Sequence, residues 1–227
     1  MLRIAFLLCL VLLPAFARAQ EDADWIAYRD AYRQMIWFEK YGKPKQFLQN
    51  HLRLQPRDKN VAMDGLRLTL NSKTAQVTLA LDALGRAVLP FSKAAYDDNA
   101  ELVVNRKPGQ FKAGPWVSIV TRPDGVYAVA DLRTACEQLL AYLRYGGEAR
   151  GKSCVGVQFT YLKNDAAQVQ FRAAGGATSV LTAKEGPAFA GDAMQGFRVF
   201  AYRFAAWPEA GQVVTSATPL AIAALLE

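Results

Sequence analysis

From about Val61 onward the apolar residues of this chain recur at every second position, and that period rules out a helical bundle. Leu66, Leu68 and Leu70 alternate with Arg67 and Thr69, and Val77, Leu79 and Leu81 alternate with Thr78 and Ala80. The same signal predicts strands over 87–91, 101–105, 116–121, 126–130, 155–162, 168–173, 195–205, 212–216 and 220–225. Turn residues separate them. In Arg122-Pro123-Asp124-Gly125 the Pro and Gly stand where a type I turn wants them. Closely spaced strands with few helices between them imply antiparallel, sandwich-like sheets.

Two stretches break the period. Over 24–41, Tyr28, Ala31, Tyr32, Met35 and Ile36 share one helical face, and Gly42 and Pro44 end the pattern. Trp25, Trp37, Phe38 and Tyr41 make this helix unusually aromatic. It can pack on a sheet on more than one side, or it can dock a partner or a membrane surface. Over 131–144, Leu132, Ala135, Cys136, Leu139, Leu140 and Leu143 form a continuous stripe, with Asp131 as the expected N-cap and Gly146-Gly147 as the stop.

The expected fold is therefore mainly β with two helices, of α+β class: antiparallel β-sandwich-like modules with an N-terminal helix and a helix between the modules. The expected divisions are a leader over 1–19, helix and basic connector over 20–60, a first β module over 61–129, a linking helix over 130–151 and a second β module over 152–227. A tandem pair is one arrangement. Gly65–Thr69 resembles Gly156–Thr160, and Ala113–Ser118 resembles Ala210–Thr215. The other arrangement is two hairpin-rich parts of one larger sheet system.

The first residues read as a secretory leader. Arg3 precedes a ten-residue apolar run, Ile4 to Leu13, and Ala17-Arg18-Ala19 offers a cleavage site before Gln20. Such a run is too short to span a bilayer, and no later apolar stretch reaches spanning length. The expected location is the periplasm or the exterior. Cleavage lowers the formal net charge from +7 to +5 by removing Arg3 and Arg18. The remaining surplus sits within 40–59, where Lys40, Lys43, Lys45, Arg53, Arg57 and Lys59 face Asp58 alone. Lys40, Lys43, Lys45, His51, Arg53 and Arg57 are accordingly the candidate contacts for an anionic surface.

Export also directs the reading of the cysteines. Cys136 and Cys154 remain after cleavage, in an oxidising compartment, and are expected to form a structural disulfide. They lack the C-x-x-C spacing of a redox pair. Catalytic constellations are poorly supplied. His51 is the single His, so multi-His metal sites and H-E-x-x-H chemistry are excluded, and no G-x-S-x-G elbow accompanies it. No phosphate-binding glycine loop occurs, and Asp97-Asp98-Asn99 lacks EF-hand spacing. No metal or cofactor is expected. Nucleic acid is excluded as a partner by export and by the absence of a recognition module.

A small exported β protein exposes aromatics for sugar stacking, and Trp116, Tyr127 and Trp207 are the candidates; the alternative for each is a place in the core or at a sandwich edge, where large aromatics bury most area. The expected function is a non-catalytic binding or assembly component of the bacterial cell envelope. Its partner would be an envelope polysaccharide, an anionic lipid surface or an envelope protein. The alternative is a carbohydrate-active envelope hydrolase using paired carboxylates.

Overall fold

The structure, a computed structural model, describes residues 24–227; the expected leader lies outside them. Its elements in chain order are β1 (Asp24–Ala27), α1 (Tyr28–Lys40), β2 (Leu48–Pro56), β3 (Leu68–Asn71), β4 (Gln76–Leu79), β5 (Arg86–Ala87), α2 (Lys93–Asp97), β6 (Glu101–Val104), β7 (Phe111–Ile119) and β8 (Val126–Ala128). They continue with α3 (Val129–Tyr145), β9 (Cys154–Tyr161), β10 (Val169–Ala173), β11 (Thr178–Val180), β12 (Lys184–Gly186), β13 (Phe197–Arg203), a 3₁₀ turn (Phe204–Ala206), β14 (Gly211–Thr215) and β15 (Ala221–Leu226). The protein is mainly β with antiparallel sheets, as the period-two pattern requires.

Three sheets form. A small sheet runs β1-β6-β3-β4, a second runs β8-β14-β10-β11, and a seven-stranded sheet runs β12-β13-β9-β15-β7-β2-β5. The two small sheets use equivalent strands in the same order. Element by element, β1-α1-β2-β3-β4-β5-α2-β6-β7 corresponds to β8-α3-β9-β10-β11-β13-(3₁₀ turn)-β14-β15, with β12 as the extra strand. The repeated unit therefore begins with a short strand and its helix, at 24 and again at 126, and α3 opens the second half rather than linking two modules. The sequence resemblances had set β3 against β9 and β7 against β14, whereas the strand order makes β10 and β15 their counterparts. Short alternating strands match one another in many registers, which is why those pairings misled. The two halves also share the large sheet, to which the first contributes β5, β2 and β7 and the second β15, β9, β13 and β12.

Helix burial follows the stripes. Tyr28, Ala31, Met35 and Phe38 are the buried residues of α1, and Leu132, Ala135, Cys136, Leu139 and Leu140 are buried in α3. Asp131 is not the N-cap of α3. Ala128 occupies that position without a side-chain bond, and Asp131 lies in the first turn, where its charge favours the helix dipole. Each helix face packs on its half of the large sheet. In the first half Leu52, Leu54, Leu68, Leu102 and Phe111 meet α1, and in the second Val157, Phe159, Val169, Phe200 and Ile222 meet α3. Burying each such side chain contributes about 1.5–3 kcal/mol.

Strand β2 occupies part of the stretch read as a basic connector. It pairs with β7 over nine residues, from Leu48↔Ile119 to Pro56↔Phe111. Its Leu48, Leu52 and Leu54 enter the helix-side cores, which turns His51, Arg53 and Gln55 to the opposite face. A third apolar cluster lies on that face. It is built from Leu84, Ala188, Phe189, Phe197 and Val199 with Trp116 and Met194 packed against it. Residues 187–196, between β12 and β13, thus form a strap across the first half's strands. The turn between the halves closes on Gly125, whose φ of 65° suits glycine, and an added Cβ there would lie 2.5 Å from the Thr215 carbonyl oxygen.

Candidate functional site

The two halves of the large sheet meet at one registered pair, Ile119↔Ile222. Continuing that antiparallel ladder would set Val117 opposite Ala224 and Pro115 opposite Leu226. Instead these residues line a cleft of about 550 Å³, inside the roughly 300–1,000 Å³ range of ligand sites. Pro115 brings no backbone donor to either neighbour, so the place where the ladder opens has a local cause. Strands β7 and β15 form the sides of the opening. The C-terminal parts of α1 and α3 bring Trp37, Leu139, Tyr142, Leu143 and Tyr145 to it, and the strap brings Phe189 and Ala190.

The aromatic lining is built as a linked cluster. Trp37 and Tyr145 lie 5.9 Å apart between ring centres, and Tyr41 packs at 5.1 Å on Tyr142 and at 5.2 Å on Tyr145. Trp37 is 58% exposed and Tyr145 54%, so their faces are open to solvent. Trp116 packs edge-on to Phe189 at 5.0 Å, and its indole Nε1 is buried without a partner. Gln34, Gln55, Lys112 and Glu148 supply the polar rim, and among the described residues Glu148 is the single carboxylate of the lining. Among the described residues no second carboxylate lines this cleft to form the pair that glycoside hydrolysis requires.

The candidate sugar-stacking residues separate. Trp116 reaches the cleft. Tyr127 does not: it is 4% exposed, sits against Phe159 at 5.4 Å, and its hydroxyl accepts the Arg122 N–H at 2.9 Å. Trp207 packs on Tyr202 at 5.9 Å and on Phe171 at 5.2 Å, which makes it a lid on the second core rather than a free platform. Large aromatics of a sandwich go where area can be buried, and these two did. Trp37 and Tyr145 are the cleft aromatics that stay open to solvent.

The candidate anionic-surface residues do not form one patch either. Lys40, Lys43 and Arg57 are exposed. Lys45 turns back to cap α1, donating to the carbonyls of Phe38 and Glu39. Arg53 is 1% exposed. It donates to Asp192 at 3.1 and 2.5 Å and to the Leu84 carbonyl at 3.1 Å, and its guanidinium lies 4.5 Å from the Trp116 ring centre and 4.7 Å from that of Phe189. A buried guanidinium of this kind is structural and offers nothing to an external surface. A second, smaller cavity of about 320 Å³ opens beside this pair, where Arg57 and Lys112 are the remaining cations.

His51 projects from β2 on the same face as Arg53, with Nδ1 buried and unpartnered. Burial, and secondarily the nearby Arg86 cation, lower its pKa below the ordinary 6.5, with Asp82 opposing. The unfolded chain therefore takes up this proton first as pH falls. The stability His51 contributes is complete above about pH 6.5 and is lost as pH drops from there toward the lowered folded-state value, at no more than about 1.4 kcal/mol per pH unit. Urea unfolding of the native chain and of His51→Gln across that window should give a flatter pH dependence for the variant. Equal slopes would show that His51 titrates no differently when folded.

The expected disulfide is present: Cys136 and Cys154 are bonded, their Cα atoms 6.1 Å apart, joining α3 to the start of β9. Among the described residues no group of three or more His, Cys, Asp or Glu is placed to hold a metal, and no helix is long and apolar enough to cross a membrane. No protein-family model, curated protein or solved structure matches this chain in comparison.

Proposed function

We propose that the protein is an exported, non-catalytic binding protein of the cell envelope and that its ligand occupies the cleft between the two halves. The observation that carries this reading is the opened ladder. A strand pair that could have closed from Ile119↔Ile222 outward leaves a lined cavity with open aromatic faces and a single carboxylate. Junctions between structural units are common ligand sites because side chains from both converge there. Export is supported by the leader pattern of residues 1–19 and is consistent with the disulfide.

Two measurements test the proposal. N-terminal sequencing of the chain recovered from a periplasmic fraction should begin at Gln20; recovery of the intact leader in the cytosol would remove the envelope assignment. Tryptophan fluorescence of the purified chain, titrated with neutral oligosaccharides, amino sugars and lipid headgroups, should show saturable binding that Trp37→Ala weakens. Turnover of any of these that Glu148→Gln abolishes would favour the hydrolase instead.

A further inference from the structure

The ring faces of this fold divide into those that hold a cation of the protein's own and those that do not. Tyr96 has Arg29 at 5.0 Å, Phe38 has Lys45 at 4.8 Å, Phe204 has Arg133 at 4.6 Å, and Phe200 has Arg198 at 5.4 Å. Trp116 and Phe189 share Arg53. Among the described residues no such partner lies over Trp37, Tyr142 or Tyr145, the three linked rings at the helix end of the cleft. Glu148 lines the same cavity and forms no ion pair with any described residue. Its negative charge is close enough to raise the Tyr142 pKa further, after burial, so that hydroxyl stays neutral. Helix α3 also ends here, and a helix C-terminus carries partial negative charge, whereas the last carbonyls of α1 are already held by Lys45. Behind the rings the Tyr41 hydroxyl, on a side chain only 4% exposed, is buried without a partner.

Open π faces, a free carboxylate and the C-terminus of α3 all favour the same ligand charge. We propose that the cleft recognises an organic cation, an alkylammonium group seated against Trp37, Tyr142 and Tyr145 with Glu148 as its counter-ion. The rest of the ligand extends along the cleft toward Lys112, so the cationic group enters at the end away from that lysine. This proposal rests on the cleft being the binding site and names the chemistry the site takes.

The probe is choline, with 3,3-dimethylbutan-1-ol as its uncharged analogue of the same shape. Trp37 fluorescence of the mature chain should change saturably with choline. Trp37→Ala should weaken binding about tenfold, measured by calorimetry, because an indole face is the strongest partner for a cation. Glu148→Gln should weaken it about threefold, the scale of an exposed ion pair. Trp37 and Glu148 are both exposed, so neither variant should disturb folding. The alcohol should bind at least about tenfold more weakly than choline. Equal binding of the alcohol would overturn the proposal, as would choline binding that ignores Trp37→Ala. Absence of choline binding overturns it too. If a neutral oligosaccharide then binds in a Trp37-dependent way, the cleft assignment stands without its cation; if nothing binds there, both fail.

Discussion

Asp192→Ala should destabilise the protein by about 3–5 kcal/mol, the cost of leaving a buried charge without its partner. Arg53 and Asp192 are both almost completely buried, and the guanidinium packs against both Trp116 and Phe189. Removing the carboxylate strands that cation under the strap, where Gln55 also loses its acceptor on Asp192 at 3.1 Å. The consequence reaches the cleft, because Phe189 and Ala190 of the same strap line it. The link from β2 to residue 192 also clasps the two halves together, as do the Arg86 bond to the Leu220 carbonyl and the Phe47 N–H donated to Gln138. The double variant Arg53→Met, Asp192→Leu should recover most of the loss, because it removes both charges and keeps apolar volume. Urea unfolding of the two variants reads the result. A single variant within about 1 kcal/mol of native would mean that the pair is not desolvated as described.

The second large effect belongs to the disulfide. The bond closes a loop of sequence separation 18, and the chain-entropy model gives about 3 kcal/mol for a loop of that size. Cys136 is fully buried on α3, so the bond also fixes the helix against β9 at the heart of the second core. Cys136→Ala with Cys154→Ala should therefore lower unfolding stability by about that amount without changing the strand order. Near-native stability of the double variant would show that the bond merely decorates contacts already sufficient.

What could be read in advance follows a physical division. The α3 stripe, the cysteine pair and most strands were legible because each signal is local: a period, a turn residue, a compartment. Strand β2 was hidden by its charges. Leu48, Leu52 and Leu54 do alternate, but His51 and Arg53 read as solvent-facing cations, and the group that buries Arg53 is 139 residues away. Nothing near Arg53 announces Asp192. The short helix α2, capped by the Ser92 side chain, was likewise too brief for a periodicity to register. The cleft was legible only at Pro115, since where a ladder stops depends on how two halves meet. Tyr127 and Trp207 take the core and core-edge places that stood as the alternative to sugar stacking, because sequence says that a large aromatic will cover a surface and only the packing says whether that surface is a ligand's or the protein's own.

Binding at the opening between β7 and β15 is what the proposed function requires. Backbone amide NMR of the mature chain, recorded while a saturating ligand from the fluorescence panel is added, tests it directly. Shifts should concentrate on residues 113–117 of β7, 223–226 of β15 and 139–148 at the end of α3, with the ligand recovered unchanged. Shifts centred on Trp207 or on Lys40 and Lys43, with the cleft residues unmoved, would contradict it.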